Sequence, residues 1–153
     1  MGDGVDMRDV GTILLVEDNI NYVLLTQVAL KRARLANPLQ VVRDGEEAIA
    51  YLSGTEPFAD RIKYPFPILL LLDLNMPKVN GFEVLDWLRL QPFRSHLPVA
   101  ISTDSDSGPD VRRAYDLGAD SYLIKPPNPE ALLALVQRLK VFWAIEPPEY
   151  EVA

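Results

Sequence analysis

The chain has 153 residues, a formal net charge of -7 and no cysteine. Its length suits one domain with a substantial core, and its 48% of apolar residues is ordinary for a globular protein. The negative charge argues against a nucleic-acid partner, which needs clustered Lys and Arg, the lack of cysteine excludes disulfides and thiolate metal sites, and no apolar run reaches the roughly 20 residues that span a membrane.

After a flexible leader at residues 1–11, short apolar runs alternate five times with helical patterns. The predicted strands cover residues 13–16, 39–43, 68–72, 97–101 and 121–124. The predicted helices cover residues 20–36, 46–53, 82–90, 110–117 and 130–143. Such alternation predicts an α/β fold, a doubly wound parallel sheet with helices on both faces. The flavodoxin-like strand order 2-1-3-4-5 suits a (βα)5 chain of this length.

The first predicted helix is expected to bury one face made of Tyr22, Leu25, Ala29 and Ala33. The segment 55–67 contains three prolines and reads as a long surface loop. Residues 12–143 are expected to form the domain, and 144–153 an acidic tail that cannot be helical through its two adjacent prolines.

Four predicted strands lead into residues that carry chemistry: Glu17 and Asp18, Asp73, Thr103, and Lys125. Because the carboxyl ends of parallel strands share one edge of the sheet, these side chains are expected to meet. Clustered carboxylates repel one another, and a hard divalent cation such as Mg²⁺ relieves that repulsion. Lys125 suits a phosphate oxygen and Thr103 offers a hydroxyl donor. Asp73 is then placed as a nucleophile toward phosphorus.

The segments VEDN (16–19), LDLNMP (72–77) and IKP (124–126), with a hydroxyl residue ending the fourth strand, resemble the receiver domains of two-component response regulators. The resemblance covers residues 12–141 and implies that Asp73 accepts a phosphoryl group from a sensor histidine kinase. It implies that Mg²⁺ is held by Glu17, Asp18, Asp73 and the main-chain carbonyl of Asn75. It also implies that Thr103 and Tyr122 form a switch pair and that the Lys125–Pro126 bond is cis.

One departure follows the switch hydroxyl. The position after it is often small in such receivers, whereas this chain has Asp104. A fourth carboxylate near the phosphoryl pocket is expected to slow the entry of small anionic donors or to alter the lifetime of the phosphoaspartate.

The proline-rich loop and the end of the last helix resemble the stand-alone regulators that partner bacterial phytochrome histidine kinases. A kinase of that type is therefore the expected partner, and the expected compartment is the cytoplasm. The last helix carries one apolar stripe of Leu132, Leu135, Leu139 and Phe142 and a neighbouring stripe of Leu133, Val136 and Trp143. Since one stripe suffices to dock a helix on the sheet, the second predicts a homodimer interface.

Two other functions use similar folds. An aspartyl-nucleophile phosphatase has a second acid two residues after its nucleophile, but this chain has Asn75 there, which disfavours turnover. A flavin or nucleotide carrier needs a glycine-rich phosphate loop after the first strand, where EDNIN stands instead. The sequence therefore predicts a phosphoacceptor signalling protein, not an enzyme, whose output is binding or onward phosphotransfer.

Overall fold

The computed structural model describes residues 11–76, 78–104 and 108–139. Its strands are β1 (Ile13–Val16), β2 (Leu39–Val42), β3 (Leu69–Asp73), β4 (Val99–Thr103) and β5 (Ser121–Ile124). Its helices are α1 (Ile20–Arg32), α2 (Gly45–Ser53), α3 (Gly81–Leu88), α4 (Gly108–Asp116) and α5 (Pro129–Leu139), with a short 3-10 helix at Arg94–His96. All four strand pairs are parallel and the order is β2-β1-β3-β4-β5, which confirms the predicted fold.

The central strands are apolar throughout because helices cover both of their faces. In β1 and β3, Leu14 and Leu70 point into a core shared with α2, α3 and α4. Their neighbours Ile13 and Leu69 point to the opposite core, which α1 and α5 complete. Successive side chains of a strand point to opposite faces, so continuous leucine runs are what a doubly covered strand requires.

Helix α1 ends four residues earlier than the pattern predicted. Arg34 adopts a left-handed backbone with φ of 63°, and its N–H donates to the carbonyl of Lys31 at 3.0 Å. The N–H of Leu35 donates to the carbonyl of Leu30, also at 3.0 Å. This pair of bonds is a Schellman motif. Glycine normally occupies the left-handed position, so an arginine there concealed the end of the helix.

The predicted inward face of α1 was also partly wrong. Leu25 is 43% exposed and Tyr22 is only half-buried. The buried positions are instead Val23, Thr26, Ala29 and Leu30, with Ala33 just after the helix. The helix carries apolar residues on two faces, so a single periodic set did not identify the one that packs on the sheet.

In α5, Leu132 and Leu135 are buried in the core as predicted, at 1% and 2% exposure. Val136, which belongs to the neighbouring stripe predicted to form an interface, is also buried, because α5 packs a broader face against α1 and the sheet. Phe142 and Trp143 lie outside the described residues. None of the helices in the described part of the chain is long and apolar enough to cross a membrane.

Candidate functional site

Three side chains predicted to meet form a buried ionic group at the carboxyl edge of the sheet. Glu17 follows β1, Asp73 ends β3 and Lys125 follows β5. The Nζ of Lys125 lies 2.6 Å from Oε1 of Glu17 and 3.1 Å from Oδ2 of Asp73. All three side chains are at most 3% exposed. One ammonium therefore serves two desolvated carboxylates.

Backbone amides orient both of these carboxylates. The N–H of Asn75 donates to Oδ1 of Asp73 at 3.1 Å, and the N–H of Asn19 donates to Oε2 of Glu17 at 3.2 Å. Each carboxylate thus has one oxygen toward Lys125 and the other toward the backbone that follows its strand. The Lys125–Pro126 peptide bond is cis, as the resemblance implies.

Helix α3 begins against the end of β3 and fixes that turn. Its N-cap Asn80 accepts the N–H of Glu83, and the Glu83 side chain accepts the N–H of Asn80 in return. The N–H of Gly81 donates to the carbonyl of Leu74 at 3.1 Å. A Cβ at Gly81 would overlap the carbonyl of Asp73, so only glycine lets the helix approach the end of β3 this closely.

The protonation equilibria of the group follow from its burial. Burial raises the pKa of Asp73, opposed by the N–H of Asn75 and the charge of Lys125. Burial also raises the pKa of Glu17, against its hydrogen bond with Lys125, and the negative charge of Asp73 adds to the rise. For Lys125, burial alone would lower the pKa, but the hydrogen bond with Glu17 and the two negative charges outweigh it and raise the pKa.

Asp18 completes a set of carboxylates that could hold a metal ion. One carboxylate oxygen each from Glu17, Asp18 and Asp73 lies within 4.8 Å of the others. Asp18 is exposed whereas the other two are buried, so the set opens to solvent on one side. Helix capping does not account for Asp18, because the cap of α1 is Asn19, whose side chain accepts the N–H of Asn21 at 2.9 Å.

The remaining predicted residues surround this centre. Thr103 ends β4, is 4% exposed, and its carbonyl accepts the N–H of Lys125 at 2.7 Å. Asn75 is exposed just after Asp73. Tyr122 lies on the outer side of β5, 38% exposed, with its ring edge-on to Tyr115 of α4 at 6.4 Å between centroids. The structure thus gathers the acids, Lys125 and Thr103, and leaves Tyr122 outside the pocket.

Lys125 makes two further contacts, one with Tyr22, which was not predicted from the sequence, and one with Asp104, which was expected near the pocket. Its Nζ lies 4.6 Å from the centroid of the Tyr22 ring and 3.7 Å from Oδ1 of Asp104. Tyr22 lies in the first turn of α1, at the same edge of the sheet as Asn19. Its position shortly after the first strand was the one sequence feature that could have placed it near the site. A cation held over an aromatic face is attracted by the ring quadrupole, so Tyr22 helps to hold the ammonium in place.

The sequence is similar to a known protein family and to two known regulators. Residues 13–137 match the profile of the response regulator receiver domain. The chain is 37% identical over 142 residues to a probable methanogenesis regulatory protein, FilR2, of Methanothrix harundinacea, covering 93% of this chain and 89% of that protein. It is 37% identical over 131 residues to the response regulator Rcp1 of Synechocystis sp., covering 86% of this chain and 87% of Rcp1.

The fold is also similar to solved structures of response regulators. The bacteriophytochrome response regulator RtBRR superposes with a TM-score of 0.78 at 41% identity, covering 92% of this chain and 85% of that one. The Mn²⁺-bound form of Rcp1 gives a TM-score of 0.69 at 36% identity, covering 90% of this chain and 99% of that one. None of these relatives is named as a phosphatase, and Asn75 stands where that alternative needs an acid.

Proposed function

This chain belongs to the response regulator receiver domain family, and from that premise we propose that Asp73 is the residue that a sensor histidine kinase phosphorylates. The protein is a signalling protein rather than an enzyme, like the response regulators it matches. The observation that carries the assignment is the burial of Asp73 at the end of β3, with its Oδ2 3.1 Å from the ammonium of Lys125. The other buried carboxylate, Glu17, is held closer to Lys125, at 2.6 Å.

The transfer needs a nucleophilic oxygen and a fixed positive charge. A carboxylate oxygen of Asp73 forms a bond to phosphorus while the bond from phosphorus to the donor imidazole nitrogen breaks, and that nitrogen keeps the electron pair. Negative charge shifts onto the phosphoryl oxygens, where Lys125 stabilises it. The hydroxyl of Thr103 donates to the phosphoryl group once it is bound to Asp73.

The acids of the site fit a hard divalent cation. Three carboxylates within reach of one another suit Mg²⁺, which takes oxygen ligands and retains several waters. Glu17, Asp18, Asp73 and the main-chain carbonyl of Asn75 would hold it, and the Mn²⁺-bound form of the similar protein Rcp1 supports a divalent cation. When bound, the cation neutralises charge on the carboxylates and on the phosphoryl oxygens.

Thr103 and Tyr122 are the proposed readout of phosphorylation. Thr103 is buried beside Lys125, and Tyr122 stands on the outer side of the neighbouring strand. Movement of Thr103 toward a phosphoryl group would leave space that Tyr122 fills by turning inward. Phosphate shifts this equilibrium only through its different affinity for the two states, so Thr103→Ala should still accept phosphate yet lose phosphorylation-dependent binding of the partner.

A bacteriophytochrome-type kinase is the proposed donor, because the matched structures include regulators of that class. We further propose a homodimer built on the end of the last helix around Phe142 and Trp143, a domain at residues 12–143, and a cytoplasmic location. Sedimentation equilibrium of the full chain and of a chain truncated before Phe142 tests the dimer. A wild type that stays monomeric at micromolar concentration, with and without phosphate, would contradict it.

The phosphoacceptor is tested by intact-mass measurement after incubation with Mg²⁺ and phosphoramidate. The wild type should gain one phosphoryl group and Asp73→Asn should gain none. Asp116→Asn is the matched control, because Asp116 ends α4, a helix that leads away from the site edge. Labelling of Asp73→Asn at another residue would overturn the assignment.

A further inference from the structure

We propose that Asp104 is a specificity-determining residue that excludes small, free anionic phosphodonors from Asp73. This inference rests on the proposed function, since it concerns which donors reach the phosphoacceptor. Asp104 is the first residue after β4, and its carboxylate lies 3.7 Å from the buried ammonium of Lys125.

Asp104 approaches Lys125 from the exposed rim of the site. Its side chain is 65% exposed, whereas that of Lys125 is 3% exposed. An incoming phosphoryl group must place an oxygen near the same ammonium if Lys125 is to neutralise it. The carboxylate of Asp104 therefore competes with that oxygen for Lys125 and repels it.

Lys125 does not need Asp104 as a counter-charge. The ammonium already contacts Glu17 at 2.6 Å and Asp73 at 3.1 Å, both in buried surroundings. The contact with Asp104 is longer, at 3.7 Å, and its carboxylate is hydrated, so it contributes little to stability. The main effect of the Asp104 charge is consequently the field that it adds at the entrance, beside the acids Glu17, Asp18 and Asp73.

That field affects donors unequally. A free donor such as acetyl phosphate, a dianion, must be attracted by the pocket itself. A phosphohistidine carried by a docked protein is delivered by contacts elsewhere, which raise its effective concentration at the site. The same repulsion therefore excludes free metabolite donors, whereas a docked kinase overcomes it. The regulator would then be phosphorylated by its kinase and not by free metabolites.

The test measures the second-order rate of Asp73 phosphorylation in wild type and Asp104→Asn, which keeps the size of the side chain and removes its charge. With acetyl phosphate and saturating Mg²⁺ at low ionic strength, we expect the variant to react about tenfold faster, as expected for removing one charge close to a dianion. The gain should be smaller with phosphoramidate, which carries one negative charge fewer. It should also shrink as salt is added, because exposed charges are screened within about 10 Å at 0.1 M ionic strength.

Asp116→Asn removes the same charge at the far end of α4 and should react like wild type with both donors. Equal rates for Asp104→Asn and Asp116→Asn would overturn the proposal, as would a gain independent of donor charge and salt, since that would reflect packing. If phosphoramidate labels Asp73 in all three proteins, the proposed function holds whichever way the Asp104 result falls. Absence of Asp73 labelling in all of them would overturn the proposed function, and this inference with it.

Discussion

The site edge contains two kinds of carboxylate that differ in exposure. Glu17 and Asp73 are each 2% exposed and share one ammonium, whereas Asp18 and Asp104 are exposed. Removing the partner of a buried charge is costly, because the remaining charge is left desolvated and uncompensated. Exposed charges are hydrated and contribute little to stability. The free energy of unfolding should therefore depend much more on the buried pair than on the exposed pair.

The largest expected effect on stability follows from removing the ammonium that the two buried carboxylates share. Lys125→Met leaves both buried carboxylates without a counter-charge and should lower the free energy of unfolding by about 3–5 kcal/mol in Mg²⁺-free buffer. Urea unfolding measures the loss, and added Mg²⁺ should recover part of it. The control is Lys78→Met, because the Lys78 side chain is 63% exposed and its Nζ lies 3.7 Å from Oδ2 of Asp44, and its change should stay within about 0.5 kcal/mol. Similar losses in both variants would mean that burial does not distinguish the two pairs.

The close approach of Gly81 to the backbone of Asp73 gives the next largest expected effect. A Cβ at Gly81 would overlap the carbonyl oxygen of Asp73 and lie 2.7 Å from Cα of Leu74. Gly81→Ala should cost up to about 3 kcal/mol of stability and slow phosphorylation, because it displaces the end of β3. Gly108→Ala is the matched control, since a Cβ built there meets no heavy atom within 4 Å among the described residues, apart from its chain neighbours and its own helix backbone. Thermal melts that show no difference between the two variants would contradict this reading.

Tyr51 shows the effect of burial on a hydroxyl, where desolvation outweighs the nearby positive charge of Arg61. Its side chain is fully buried, and its hydroxyl donates to the carbonyl of Pro65 at 2.8 Å. Burial raises the pKa of Tyr51 from 10.0 to about 12. The folded state then holds the hydroxyl proton more tightly than the unfolded state. The stability that the protonated hydroxyl contributes is therefore fully present below pH 10 and is lost as the pH rises toward 12.

The unfolding free energy of wild type should accordingly fall relative to Tyr51→Phe by about 2 kcal/mol between pH 9 and 12. The variant keeps the other five of the six tyrosines, so their titration cancels in the comparison. A difference that does not change over this range would show that the hydroxyl titrates normally.

Much of the fold was predictable because the apolar runs of β1 and β3 leave little choice. A run such as 68–72 suits a strand covered on both faces, and the alternation with helices predicts a parallel sheet, for which the order 2-1-3-4-5 suits five strands. What failed depended on local geometry. Arg34 ended α1 where glycine would have marked the end, and Leu25 lay on an apolar face of α1 that the sheet does not use.

The site was predictable to a similar depth. The parallel sheet brings Glu17, Asp73 and Lys125 to one edge, and topology alone shows that. The 3.7 Å approach of Asp104 to Lys125 depends on the path of the chain after β4, which no sequence pattern specifies. The exposure of Asp18 beside a buried Glu17 likewise follows from how α1 begins, so the division into buried and exposed acids appeared only with the structure.

The smallest expected effect on stability comes from removing the charge of an exposed acid. Asp18 is exposed and is not the cap of α1, so Asp18→Asn should change the metal-free unfolding free energy by no more than about 0.5 kcal/mol. The same variant removes one of three carboxylates from the cation site, and its affinity for Mg²⁺ should fall at least about tenfold.

Melting curves over a series of Mg²⁺ concentrations report both quantities, because a ligand that binds only the folded state stabilises it by an amount that grows with the logarithm of its concentration relative to its dissociation constant. Asp116→Asn should reproduce the wild-type series. If Asp18→Asn responds to Mg²⁺ as wild type does, Asp18 is not a ligand. If its metal-free stability falls by several kcal/mol, exposure does not separate the two kinds of acid. The expected pattern, unchanged stability with weakened metal binding, is the reverse of that for Lys125→Met, in which stability falls and Mg²⁺ restores part of it.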